Sequence, residues 1–353
     1  MSRIAFAASI TDLMKQVMCI PTVLAWFLVI SLGATARAEG PRLVLPVTPV
    51  AGLSVTISVG DGSQRLVQVD TGSVGLIVWR GDIGPAAVPQ GPGKREYNSS
   101  GRIFRGTYFL TWIAFQTPGG TVQTVRLRVL GVDRQDCDPA KPDCRTQEGA
   151  ALQHVGVLGV GFDRPAYTQG DVLDQSDNPF LNLEPMRGGR MPRRYILSTH
   201  SIELGGTASL PAGFHTLSLT IRTPGQGGAP DDWARPTGCY TLTLSTGRSI
   251  GPFCTKLLVD SGLPEMILTL PPAQRPAGLA CDTRCPDGLQ VTVRAGNALN
   301  WEFTTGEPGA PRYVRWGLNG STTQINTGRA LLEHFDYLYD ADLGVVGFRP
   351  ASH

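Results

Sequence analysis

Apolar and polar residues alternate with period two in short runs along most of the chain, and turn residues separate the runs. Leu53-Ser54-Val55-Thr56-Ile57-Ser58-Val59 is such a run, Gly60-Asp61-Gly62-Ser63 is a turn cluster, and Gln64 to Asp70 reads as the returning strand of a hairpin. Tyr97-Asn98-Ser99-Ser100-Gly101 then precedes an apolar and aromatic run from Arg102 to Phe115, and Pro118-Gly119-Gly120 turns the chain into Val122–Leu130, which alternates as one strand. Gly131 to Gln153 reads as an insertion, and Val155 to Phe162 as a buried strand. From Asp171 to Arg194 the chain is polar and rich in Gly, Pro and Arg, which predicts a loop or short helix. Strand-like runs resume at Tyr195-Ile196-Leu197-Ser198 and Ile202 to Gly206. A second hairpin follows, Cys239–Leu244 with Ser249–Cys254, then Leu257 to Asp260 and a closing segment from Asn326 to Phe348.

The first 38 residues have a different pattern. Arg3 and Lys15 precede an apolar run from Val17 to Gly33, and Ala36-Arg37-Ala38 offers a small-x-small cleavage site, which predicts a secretory signal over residues 1–38. The competing reading is an uncleaved membrane anchor, since about 17 apolar residues is at the short end of what spans a bilayer.

Composition supports the strand reading. The 353 residues include 43 Gly and 27 Pro with only 17% charged residues, as expected of many short strands joined by turns and packed around two cores. Removing Arg3, Lys15, Arg37 and Asp12 with the signal takes 31 basic and 29 acidic residues to 28 of each. A nearly neutral chain lacks the clustered Lys and Arg that nucleic-acid binding requires. Of seven Cys, Cys19 lies in the signal segment, and six remain at 137, 144, 239, 254, 281 and 285. An even number after a secretory signal reads as disulfides. Spacing alone leaves the pairing open, the local set 137–144, 239–254 and 281–285 being the most economical. Zinc is the rival reading, but the spacings do not suit paired knuckles and no His lies close by.

The chemistry concentrates in two stretches, Leu66-Val67-Gln68-Val69-Asp70-Thr71-Gly72-Ser73 and Leu257-Leu258-Val259-Asp260-Ser261-Gly262. Each is an apolar run that delivers an Asp into a turn made of a small hydroxyl residue and a Gly. The Gly lets backbone amides approach the carboxylate, and the hydroxyl supplies both a donor and an acceptor. One such triplet reads equally well as a surface turn with an Asp cap. Two, in corresponding places of two halves, read as a pair of carboxylates sharing a proton.

Val55 to Gly60, the turn through Gln64, Val69 to Ser73 and Leu76-Ile77-Val78-Trp79 resemble the amino-terminal lobe of pepsin-like aspartic proteases. Gly60-Asp61-Gly62-Ser63-Gln64 looks like that family's Gly-x-Pro-x-Gln turn without the Pro. The resemblance implies an all-β, bilobal fold with the active site in the cleft between an N-terminal lobe, 39–195, and a C-terminal lobe, 196–353. It implies an aspartic endopeptidase with Asp70 and Asp260 as the catalytic pair, acting on a peptide or protein substrate as a secreted or periplasmic monomer, without metal or cofactor. Thr71 and Ser261 would bond across the lobes, Gly72 and Gly262 would complete the loops, and Ser73 would donate to Asp70. Tyr97 matches the Tyr of the family's flap, a hairpin closing over bound substrate. The Trp that many relatives place beside it corresponds to Ile77, with Trp79 two residues later.

Three departures stand out. Leu263 occupies the position equivalent to Ser73 and has no side-chain donor, which predicts a dyad that ionises less readily and a less acidic optimum. Asn326-Thr327 replaces the usual apolar pair before Gly328. About a dozen residues between the signal and the first strand leave no room for a propeptide, which implies synthesis without a zymogen. The alternatives are a pepsin-fold protein that binds or inhibits a partner without cutting it, and a membrane-tethered protease that keeps its first segment.

Other chemistries have less support. His154, His200, His215, His334 and His353 show no ligand spacing. Gly247-Arg248-Ser249-Ile250-Gly251 fits the Gly-x-Ser-x-Gly pattern, but Pro252 and a strand-like run follow where a nucleophile elbow needs a helix.

Overall fold

The computed structural model describes residues 42–50, 52–141, 143–164, 173–222, 232–317 and 324–352. The expected signal segment with Cys19, His353 and the Asp171 end of the polar stretch lie outside the described residues. Strands form most of the regular structure, and the α-helical content among the described residues is the single turn Glu184–Arg187.

After β1 (Arg42–Pro46), ten strands build the sheet of the first half. They are β2 (Ser54–Val59), β3 (Arg65–Asp70), β4 (Val74–Trp79), β5 (Val88–Tyr97), β6 (Arg102–Thr111), β7 (Ile113–Thr117), β8 (Gly120–Gln123), β9 (Leu127–Cys137), β10 (Gln147–Glu148) and β11 (Gly156–Val160). Their order is β5-β6-β9-β4-β11-β3-β2-β7-β8, with β10 on β9. The β2–β3 hairpin is antiparallel, and its alternation puts Val55, Ile57, Val59, Val67 and Val69 into the core. β11 runs parallel to β3 on its other side, with Gly159 opposite Asp70.

The rest of the chain contributes β12 (Arg194–Leu197), β13 (Ser201–Gly205), β14 (His215–Ser218) and the short pair β15 (Thr220–Ile221) and β16 (Trp233–Ala234). β17 (Thr237–Thr243), β18 (Ser249–Leu258), β19 (Met266–Thr269), β20 (Gln290–Ala295), β21 (Leu299–Thr304), β22 (Val314–Trp316) and β23 (Gln324–Asn326) form a seven-stranded sheet ordered β21-β20-β17-β18-β23-β19-β22. β24 (Phe335–Asp340) and β25 (Val345–Pro350) close the chain. A six-stranded sheet, β1-β13-β12-β24-β25-β14, draws strands from both ends of the chain. Residue 195, where the lobe boundary is expected, lies in β12 within this sheet. Tyr195 Oη donates to Val160 O at 2.8 Å, and Phe162 stacks on Tyr339 with centroids 4.4 Å apart, so the sheet packs against the strand behind the first Asp loop. Arg194 and Asp340 form an ion pair of 2.6 Å in it, 1% and 0% exposed.

Four local expectations change. β5 ends at Tyr97 and is missing from the pattern reading, because Pro89, Gly91, Pro92 and Gly93 carry little strand propensity. It is an edge strand, where a missing N–H is tolerated. Val122–Leu130 is two strands. β8 ends at Gln123; Thr124 N–H still donates to Ile113 O of β7, Val125 N–H donates away from it to Asn182 O, and β9 begins only at Leu127. The expected insertion from Gly131 starts later, because β9 continues to Cys137 along β6. Finally, β1 occupies part of the interval before the first expected strand.

The disulfides are Cys137–Cys144, Cys239–Cys254 and Cys281–Cys285. Cys239 and Cys254 are direct partners across β17 and β18, so register brings them together. Ser249 of the Gly-x-Ser-x-Gly pattern opens β18 and its hydroxyl lies 3.0 Å from Thr243 Oγ1, in a hairpin with no helix after it. No helix of the described residues is long and apolar enough to cross a membrane.

Candidate active site

Both Asp loops sit where a strand of one half runs out against the other half. β3 ends at Asp70, and the chain turns through Thr71-Gly72-Ser73 into β4. Gly72 N–H donates to Asp70 Oδ1 at 2.7 Å, and Ser73 Oγ donates to Asp70 Oδ2 at 2.5 Å. β18 ends at Leu258, and Asp260 follows two residues later. Gly262 N–H donates to Asp260 Oδ1 at 3.0 Å. The two carboxylates are 6% and 5% exposed.

The loops hold each other through Thr71 and Ser261. Thr71 N–H donates to Ser261 Oγ at 3.0 Å, and Ser261 N–H donates to Thr71 Oγ1 at 3.0 Å. Each hydroxyl then donates to a carbonyl of the opposite loop, Thr71 Oγ1 to Val259 O and Ser261 Oγ to Val69 O, both at 2.7 Å. Both N–H groups and both hydroxyls of this buried junction are therefore paired. Gln68 Nε2 adds a bond to Gly262 O at 3.2 Å.

The glycines bring the carboxylates face to face. A Cβ on Gly72 would stand 2.6 Å from both oxygens of Asp260, and a Cβ on Gly262 would stand 2.6 Å from Asp70 Oδ1. Only a residue without a side chain leaves room for the opposing carboxylate. Burial pushes the Asp260 carboxyl up, to about 7, and the charge of Asp70 acts in the same direction. Asn326, Arg164 and the Gly262 N–H oppose this rise. The site can thus hold one proton between two carboxyls at mildly acidic pH.

Tyr97 ends β5 at the turn into β6, and its Oη donates to Ser73 Oγ at 3.4 Å. The hairpin end therefore faces the first Asp loop. Tyr97 packs edge-on against Phe104 at 5.7 Å, over a small cluster that includes Ile77, with Trp79 also at its border. Gly101, in the same turn, bonds Asp138 N–H at 2.8 Å, and Lys141 Nζ reaches Ser99 O at 3.2 Å. The loop closed by Cys137–Cys144 thus braces the hairpin end.

One residue of the site is misread in the sequence. Asn326 stands in for an apolar side chain, and it donates from Nδ2 to Asp260 Oδ2 at 2.6 Å. The donor missing at Leu263 is therefore supplied from β23, so the rise of the Asp260 carboxyl comes from burial and Asp70 and not from a lost hydrogen bond. A polar residue at a buried, otherwise apolar strand position is the only sequence signal that could have found it. Among the described residues, no three His, Cys, Asp or Glu side chains converge as a metal site.

No protein-family model and no curated protein matches the sequence. Among solved structures, the fold is similar to the aspartic proteinase from Irpex lacteus, with a TM-score of 0.55 and 14% identity over 88% of this chain and 98% of that one. The chain thus has the all-β fold of an aspartic proteinase.

Proposed function

We propose that this chain is an aspartic endopeptidase whose catalytic pair is Asp70 and Asp260. The observation that carries the reading is the reciprocal junction of Thr71 and Ser261, which holds two buried carboxylates against each other's glycine loops. The aspartic proteinase fold supports it. Peptide hydrolysis follows from that arrangement without a covalent intermediate. The ionised carboxylate takes a proton from a water as its oxygen attacks the peptide carbonyl carbon, while the protonated carboxyl donates to the carbonyl oxygen. The tetrahedral diol then collapses, the C–N bond breaks, and the amine leaves with a proton from the dyad. Because the two carboxyls face each other across one attacking water, neither role belongs permanently to one residue.

The substrate in this reading is a peptide segment held extended between the halves, beneath the Tyr97 hairpin, which excludes water when it closes. Three disulfides support an oxidising compartment, secreted or periplasmic.

The test is cleavage of an unstructured protein mixture from about pH 3 to 8, beside Asp70→Asn and Asp260→Asn. Cleavage should disappear in both variants while their folds persist. A folded wild-type chain that cuts nothing at any pH would sink the reading in favour of a binding protein, and partner capture would replace it.

A further inference from the structure

The two Asp loops repeat each other in backbone and in partner strands, and one side chain breaks the repeat. β11 runs parallel to β3 with Val157 opposite Gln68, two residues before Asp70. β23 runs parallel to β18 with Asn326 opposite Leu258, two residues before Asp260. Val157 and Asn326 therefore occupy equivalent positions, as do Ser73 and Leu263, each three residues after its Asp.

In the first half the donor to Oδ2 is the Ser73 hydroxyl, and Val157 is apolar. In the second half Leu263 is apolar and the donor is the Asn326 amide. Polar and apolar side chains have changed places around the carboxylate, and each Oδ2 still has one donor.

The direction of the amide follows from its other contact. Gly328 N–H donates to Asn326 Oδ1 at 3.0 Å, so the oxygen is occupied and the NH2 group faces Asp260. Asn326 is 4% exposed, which leaves little water to compete for either end.

We propose that Asn326 is the positioning residue of Asp260, doing from the neighbouring strand what the Ser73 hydroxyl does for Asp70. It acts through Asp260 and has no role of its own in bond breaking. An NH2 group only donates, whereas a hydroxyl can rotate and accept. Asn326 therefore holds Oδ2 as an acceptor and fixes the plane of the carboxyl together with the Gly262 N–H, which donates to Oδ1. The charged groups facing Asp260 are Asp70 on the opposing loop and Arg164 after β11. Asp70 disfavours ionisation, Arg164 favours it, and the amide adds to Arg164.

This assignment rests on the endopeptidase reading only for its effect on cleavage, and its test needs no substrate. Carboxyl carbon resonances of the 13C-aspartate-labelled chain, assigned with Asp260→Asn, give the titration midpoint of Asp260. Asn326→Val, which copies the first half, should raise that midpoint by about one pH unit or more, with the alkaline limb of cleavage moving equally and KM unchanged. Leu263→Ser added to Asn326→Val restores a donor on the other side and should bring the midpoint back. A folded Asn326→Val chain with an unmoved midpoint would overturn the assignment, as would a double variant that fails to recover. If Asn326→Val does not fold, the wild-type chain still decides. Its Asn326 side-chain 15N–H2 signal should move in step with Asp260, and a signal indifferent to that titration overturns the proposal. The expected titrations in a chain that cuts nothing would remove the endopeptidase reading and leave Asn326 as assigned.

Discussion

Thr71 and Ser261, 190 residues apart in sequence, exchange backbone-to-hydroxyl hydrogen bonds of 3.0 Å in both directions. Their hydroxyls also donate to Val259 O and Val69 O, so four buried bonds join the halves at the floor of the candidate site. Each side chain serves as acceptor and donor at once, which only a hydroxyl can do at this size.

Ser261→Ala removes an acceptor from Thr71 N–H and a donor from Val69 O in a site closed to water. Each single variant, Ser261→Ala or Thr71→Val, should destabilise the chain by about 1–3 kcal/mol in urea unfolding. The double variant should lose less than the sum, with a coupling of about 0.5–3 kcal/mol. Additive losses would mean that the two residues do not act as one junction.

Neither Gly72 nor Gly262 has a positive φ, so the obstacle to an added methyl is steric, and the first group it meets is the opposing carboxylate, at 2.6 Å. Gly72→Ala and Gly262→Ala should therefore lower kcat/KM by about 100-fold or more through displacement of a carboxylate. Thermal unfolding run alongside should show a smaller effect on the fold than on cleavage.

The Asp260 carboxyl has a higher proton affinity folded, at about 7, than in the unfolded chain. Between the ordinary carboxylate range and that value, the folded state binds more protons, so stability is fullest at acid pH and declines as pH rises through the window. The slope for this one group is at most about 1.4 kcal/mol per pH unit. Asp260→Asn should flatten it, and urea midpoints measured from acid to neutral pH for both chains check this. The same direction places the cleavage optimum above that of a strongly acidic protease, and a maximum below about pH 3 would contradict it.

Arg194 and Asp340 are paired at 2.6 Å with almost no exposure, and Arg194 also donates to Thr207 O and Ser209 O at 2.9 Å. Asp340 Oδ1 receives the N–H groups of Asp342 and Leu343. Arg194→Met leaves the carboxylate buried without its cation and should cost about 3–5 kcal/mol. Removing Arg284 from its pair with Asp287, where the side chains are 54% and 64% exposed, should change stability by less than about 0.5 kcal/mol. Denaturant unfolding of the two variants compares them directly.

Much of the fold was legible because its signals are local. The β2–β3 hairpin shows as alternation, the Asp loops show as an apolar run ending in Asp, hydroxyl and Gly, and the Ser249 hairpin shows through its turn and Pro252. β5 was hidden because an edge strand needs only half of its hydrogen bonds, and so tolerates Pro89 and Pro92. The local pairing of the cysteines was open in the sequence, and the register of β17 against β18 places Cys239 opposite Cys254.

By itself the sequence determined which residues could carry the chemistry, since a carboxylate's nearest partners, Gly72 and Ser73 for Asp70, follow it in the same turn. Only the tertiary structure decided what stands beside Asp260. Leu263 reads as a missing donor, and Asn326, 66 residues away, reads as a weak strand position until β23 is laid parallel to β18. A hydrogen bond within a turn is set by a few backbone angles, whereas one between strands depends on a register that the packing of the whole sheet selects.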